Sequence, residues 1–131
     1  MKDNEITLAI IRVFRKVYGE MGYGFLERIY ENAMEFEFRK MNLNYKRQFP
    51  IKIYYQGNVM GEYVADFLVE DRVVVELKAI PFLSKIEESQ LINYLNCTDK
   101  ELGLLLNFGH KYEIKRKILH NSNKKYMNFR G

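Results

Sequence analysis

The stretch "VADFLVEDRVVVELKAI", Val64 to Ile80, constrains the fold more than any other part of the chain. Two apolar segments flank a short polar turn of Glu70, Asp71 and Arg72, so they read as the strands of a hairpin. Strands this apolar are built to be buried, yet their interiors carry Asp66, Glu76 and Lys78. Burying charges without partners is costly. The three side chains therefore lie at the open edge of a core, or they form a site.

The rest of the chain supplies cover for those strands. Ile6, Ile10, Val13 and Val17 recur at helical spacing and predict a helix over 4–18, with Asn4 as its cap. The glycines of "YGEMGYG" predict a turn. A second helix is predicted over 25–41, with Leu26, Ile29, Ala33 and Phe36 (or Met34) as its apolar stripe. "NYKRQFPIKIYYQ" predicts a strand, and Pro50 puts it at an edge or a bend. A turn at "QGN" leads to a strand over 59–69, and "EDR" leads to another over 73–80, which Pro81 ends. Ser84 and Glu87 have the spacing of a capping box that opens a helix running to about Asn96, with Ile86, Leu91, Tyr94 and Leu95 partly buried. The continuous apolar run over 102–108, "LGLLLNF", suits a central strand covered on both faces. In "KYEIKRKIL", Tyr112, Ile114, Arg116 and Ile118 alternate with Glu113, Lys115 and Lys117, which predicts a final edge strand. The order after the first helix is α-β-β-β-α-β, which calls for an α/β fold with a mixed central sheet flanked by helices, plus an N-terminal helix and a C-terminal edge strand.

A chain of 131 residues, 47% hydrophobic, fits one domain over 1–131 with a real core. Its parts are an N-terminal helix (1–20), the core (21–108) and a basic strand and tail (109–131). No apolar run reaches the length of a membrane span. Asp3 and Glu5 stand where a secretion signal needs a bare basic patch, and the single Cys97 cannot form an internal disulfide. These features lead us to expect a soluble cytoplasmic protein with no membrane partner. The net charge is +4, concentrated between Arg39 and Lys52 and again from Lys111 onward. Such runs read as solvated surface or as phosphate contacts; the candidates for contact are Lys46, Arg47, Lys115, Arg116 and Lys117.

Strand alternation places Glu76 and Lys78 on one face, with Val75 and Leu77 on the other. Asp66, across the hairpin, could reach the same site. Carboxylate oxygens are the hard ligands that magnesium takes, usually one or two with several waters. A lysine beside them can hold the attacking water and offset charge developing on a phosphate. The set suits phosphodiester hydrolysis. The competing reading, a cross-strand salt bridge at a rim, is the commoner fate of an isolated E-x-K on a strand. Tyr54 and Tyr55 could stack bases, although alternation sends at least one of them into packing. His110 and His120 read as surface residues, and Cys97 as structural.

Asp66 followed by Glu76, Leu77 and Lys78 on the next strand resembles the PD-(D/E)XK nuclease superfamily, whose core has the same element order. More narrowly, "GYGFLERIYENA" with Gly24, Glu27 and Tyr30 resembles the GxxExxY family, as do "RQFPI", "YVADFLVE", "VVELKAI", "ESQLINYL" and "GLLLNFG". The similarity runs from about Gly19 to Phe108. Ala65 stands where the superfamily's name has a proline, a position that varies within it. The resemblance implies a restriction-endonuclease-like core and a nuclease dependent on Mg2+ or Mn2+, acting on nucleic acid and on DNA first. It implies that Asp66 and Glu76 bind the metal, that the Leu77 carbonyl adds a ligand and that Lys78 serves the water. Glu27 would hold a metal-bound water or a second ion, and Gln90 would orient Lys78 or touch the substrate. Tyr30 is either functional or a core tyrosine with a bonded hydroxyl. With one site per chain, a homodimer is the simplest way to cut two strands. The alternative is a module of the same fold that binds nucleic acid or a protein without cutting.

Overall fold

The computed structural model describes residues 1–125, so the end of the basic tail, 126–131, lies outside the described residues. Helix α1 (Asp3–Met21) buries Ile6, Ile10, Val13 and Val17 along one face, as their spacing predicts. Asn4 is not its cap. The N-cap position falls to Lys2, with no side-chain hydrogen bond, and Asp3 and Glu5 in the first turn complement the helix dipole instead. The helix outruns its predicted end and stops at Gly22, whose φ of 66° suits glycine and whose N–H donates to the Tyr18 carbonyl at 2.8 Å.

Helix α2 (Glu27–Lys40) turns inward a face that shares Ala33 and Met34, the alternative to Phe36, with the predicted stripe but is otherwise rotated from it. Tyr30, Met34 and Phe38 are buried, whereas Leu26 and Phe36 are exposed. Both sets have helical spacing, so the period could not choose between them. The larger aromatic surface decides: Tyr30 stacks on Phe108 with ring centroids 3.9 Å apart, and Phe38 meets Phe67 edge-on at 5.1 Å.

Five strands form one sheet in sequence order: β1 (Tyr45–Tyr55), β2 (Asn58–Val69), β3 (Val73–Lys78), β4 (Leu102–Phe108) and β5 (Tyr112–Ile118). Every neighbouring pair is antiparallel except β3 and β4. Parallel neighbours need a crossover, and helix α3 (Lys85–Asn96) provides it. The hairpin turns at Gln56–Gly57 and Glu70–Asp71 have positive φ at both central residues, the conformation whose twist matches antiparallel strands.

Helices α1 and α2 cover one face of the sheet, packing on Val73, Val75, Leu77, Leu104, Leu106 and Phe108. Helix α3 covers the other, setting Leu91 and Leu95 against Val74 and Leu105. Burial on both faces explains the unbroken apolar run of β4, which lies beside the middle strand β3 rather than in the centre. Gly103 lets α3 approach closely there, since a Cβ would meet the Leu91 side chain at 2.9 Å. The Ser84–Glu87 capping box opens α3 as predicted. Ile86 is exposed rather than partly buried, because it lies about 140° round the helix from Leu91. The edges are β5, as its alternation predicts, and β1, where Pro50 is tolerated. Along β2, burial begins at Ala65, one residue before Asp66.

Candidate metal and catalytic site

Strands β2 and β3 pair only from Val69↔Val73 to Phe67↔Val75, and then part. Asp66 and Glu76 sit where the ladder ends, only 8% and 6% exposed. The Asp66 N–H donates to Glu76 Oε1 at 3.0 Å, and the Leu77 N–H donates to Asp66 Oδ2 at 2.7 Å. Each carboxylate thus replaces a ladder acceptor for the opposite strand with one oxygen, and its second oxygen has no bonded partner among the described residues. As alternation requires, Val75 and Leu77 are buried on the helix α1 and α2 side, away from Val74 on the α3 side.

The electrostatics are those of crowded, half-dry carboxylates. Burial pushes the Asp66 carboxyl up to about 7; Glu31 and Glu27 add to the rise, while the Leu77 N–H and Lys78 oppose it. Burial, followed by the Asp66 charge, pushes Glu76 up to about 8. Burial also raises Glu27, with Lys78 opposing. Lys78 is therefore close enough to act on all three acids, yet it forms no ion pair or hydrogen bond with any described residue. The cross-strand salt bridge is not what these side chains make.

Helix α2 brings Glu27 to the same place, and Tyr30 fixes how it arrives. The Tyr30 hydroxyl donates to the Gly22 carbonyl at 2.6 Å and accepts from the Phe25 N–H at 3.3 Å. Gly24, at φ 112°, makes the bend between them. Tyr30 is thus the core tyrosine with a bonded hydroxyl, and it latches the loop from which Glu27 starts the helix. One turn on lies Glu31, a buried acid that the sequence reading passed over. Glu31 Oε1 accepts from Arg47 Nε and from Gln48 Nε2, each at 2.7 Å. The available signal was its i+4 spacing from Glu27, next to buried Tyr30.

Gln90 is half-buried on α3. Helical spacing puts it on one face with Glu87 and Tyr94. Both neighbours feel the site. The Ser84 N–H chiefly lowers the Glu87 pKa, with Lys78 contributing; burial chiefly raises that of the Tyr94 hydroxyl, with Glu76 and Asp66 contributing. Asn107 is a second residue the sequence reading missed. It is wholly buried, accepts from the Ile80 N–H at 3.1 Å and donates to the Ile80 carbonyl at 2.9 Å, so it holds the chain just beyond Lys78. A cleft of about 320 Å³ opens between the segments flanking the site, lined by Tyr23, Phe25, Leu26, Ile80, Pro81 and His110 among others.

The basic candidates do not gather on one surface. Strands β1 and β5 are opposite edges of the sheet, and alternation separates Lys46 from Arg47, and Arg116 from Lys115 and Lys117. Arg47 is held by Glu31 at 2.7 Å and Glu35 at 3.0 Å, and Lys117 by Glu88 at 2.6 Å. Lys46, Lys115 and Arg116 face solvent, Lys46 above the Phe49 ring and Arg116 near Asn4 Oδ1. His110 and His120 are exposed and Cys97 is buried.

Among the described residues, no three Asp, Glu, His or Cys side chains form a ready cation cage. A magnesium-like ion does not need one, since it binds through one or two carboxylates and keeps several waters. Asp66 and Glu76 fit that description: they are adjacent, buried, each with an open oxygen, and short of positive charge. A family model for the PD-(D/E)XK nuclease superfamily matches residues 4–117. No curated protein and no solved structure matches the chain. Among the described residues, no helix is long and apolar enough to cross a membrane.

Proposed function

Because the chain belongs to the PD-(D/E)XK nuclease superfamily, we propose that it is a nuclease dependent on Mg2+ or Mn2+ that hydrolyses phosphodiester bonds in DNA. The observation that carries this reading is the pair of buried carboxylates crossing the strand fork beside a lysine that has no ion-pair or hydrogen-bond partner among the described residues. Asp66 and Glu76 would hold the ion, with the Leu77 carbonyl beside them. When bound, the ion supplies Lewis-acid charge and makes a water acidic enough to attack at neutral pH.

The chain's own groups do the rest. Lys78 donates to the water or to a phosphoryl oxygen as charge builds there. Glu27 holds a second water, and Gln90 steadies Lys78 or meets the substrate. The water oxygen forms a new bond to phosphorus as the bond to the leaving sugar oxygen breaks; the water gives up a proton to solvent and the leaving oxygen takes one up from solvent. Lys46, Lys115 and Arg116 would touch the phosphate backbone without reading sequence. The spacing of Gly24, Glu27 and Tyr30 supports a reading of the chain as one of the GxxExxY group. The lone cysteine fits a reducing compartment, so we place the activity in the cytoplasm. A homodimer would cut both strands.

The test is cleavage of single- and double-stranded DNA and RNA with Mg2+, Mn2+ or a chelator, run beside Glu76→Gln. Metal-dependent cutting of DNA that Glu76→Gln abolishes is expected. A wild type that cuts none of them, or a Glu76→Gln variant that cuts equally well, would refute the reading.

A further inference from the structure

Asp66 is unpaired in the sheet on both sides. On the β3 side the ladder ends at Phe67, and on the β1 side Arg47↔Phe67 and Phe49↔Ala65 pair while Gln48, opposite Asp66, does not. Gln48 has φ 54°, a left-handed conformation that a non-glycine residue inside a strand rarely adopts. Such a conformation persists only where the surroundings impose it. The constraint here comes from α2. Glu31 Oε1 accepts from both Arg47 Nε and Gln48 Nε2 at 2.7 Å, so one buried carboxylate grips two consecutive residues of β1. Arg47 also reaches Glu35 at 3.0 Å, which adds a second tie to the same helix.

We propose that Gln48 is a positioning residue: its side-chain bond to Glu31 keeps β1 from pairing with Asp66, leaving that residue to be held by Leu77 and Glu76 alone. The inference rests on the nuclease reading above. Helix α2 also carries Glu27, one turn before Glu31. The contact that peels β1 from Asp66 therefore also sets how Glu27 stands to the metal carboxylates. If the bond is lost, the strand can close its ladder onto Asp66, and the pair of carboxylates loses its fixed geometry.

Gln48→Gly and Gln48→Asn separate this role from plain stabilisation. Glycine takes positive φ without steric cost, and asparagine tolerates it, but neither reaches Glu31. Their melting temperatures, calorimetric titration with Mn2+ and DNA cleavage kinetics would be compared with wild type. We expect both variants to melt close to wild type, to bind Mn2+ about tenfold more weakly, and to lose kcat with KM for DNA nearly unchanged. Unaltered Mn2+ affinity and kcat in either folded variant would overturn the positioning role alone. A wild type that binds no Mn2+ would overturn the nuclease reading and this role together.

Discussion

The Asp66 N–H donates to the Glu76 carboxylate at 3.0 Å, at the point where their two strands stop pairing. The Leu77 N–H returns a bond to Asp66 at 2.7 Å. Two side chains that repel each other when ionised are thus held together by the backbone they cap. Such a device gains the fold little and costs it something, as expected of a site shaped for a ligand rather than for stability.

The cost depends on pH. The folded-state values near 7 and 8 lie above the ordinary 3.8 and 4.5, so the folded chain holds protons that the unfolded chain has released. Their contribution to stability is complete below about pH 4 and is lost as pH rises through 7 to 8. The metal-free melting temperature should fall by several degrees between pH 5 and 9. Asp66→Asn and Glu76→Gln should flatten that fall and melt later than wild type at pH 8.5. Mn2+ should restore the wild type at high pH, because binding favours the deprotonated folded form. A melting temperature that rises across this range, or variants that keep the wild-type slope, would contradict the account.

The sequence made the architecture readable because β3 and β4 are apolar at nearly every position, and only strands covered on both faces are. Asp66, Glu76 and Lys78 stood out against that background. The face of α2 did not, since two stripes fit one period and only the partners Phe108 and Phe67 choose between them. Glu31 was missed with that face. The fate of Arg47 was equally invisible, because an arginine on an edge strand looks alike whether it meets solvent or two acids of a neighbouring helix.

Tyr30→Phe keeps the stacking on Phe108 but removes the bonds to Gly22 and Phe25. Urea denaturation should show a loss of about 1–3 kcal/mol. Turnover should fall as well, since the loop that delivers Glu27 loses its latch. Unchanged stability would show that the ring alone holds the loop.

The basic residues divide into two kinds. Lys46→Ala and Lys115→Ala should leave the melting temperature unchanged and each reduce the salt dependence of duplex binding by about 0.9 in logarithmic slope. Arg47→Ala should destabilise the fold by on the order of 2 kcal/mol, because it strips a buried Glu31 of its cation. Paired melting and binding measurements at several salt concentrations check both. An Arg47→Ala variant that melts like wild type but binds DNA weakly would make Arg47 a phosphate contact after all.

Lys78 separates cutting from mere binding. It is half-buried and forms no ion pair with any described residue, yet its charge bears on Glu27, Asp66 and Glu76 together. Without a structural partner to lose, Lys78→Ala should melt within a degree or two of wild type at pH 6, where most of the pair's protons are still bound. If the lysine acts on the phosphoryl oxygens or aims the water, its interaction is strongest in the transition state, and turnover should drop on the order of 10²–10³-fold. DNA affinity, measured with Ca2+ in place of the catalytic ion, should change little, since one lysine is a small part of a contact spread over many phosphates. A variant that melts much earlier with turnover intact would make Lys78 a structural partner of the acids and remove the strongest argument for catalysis.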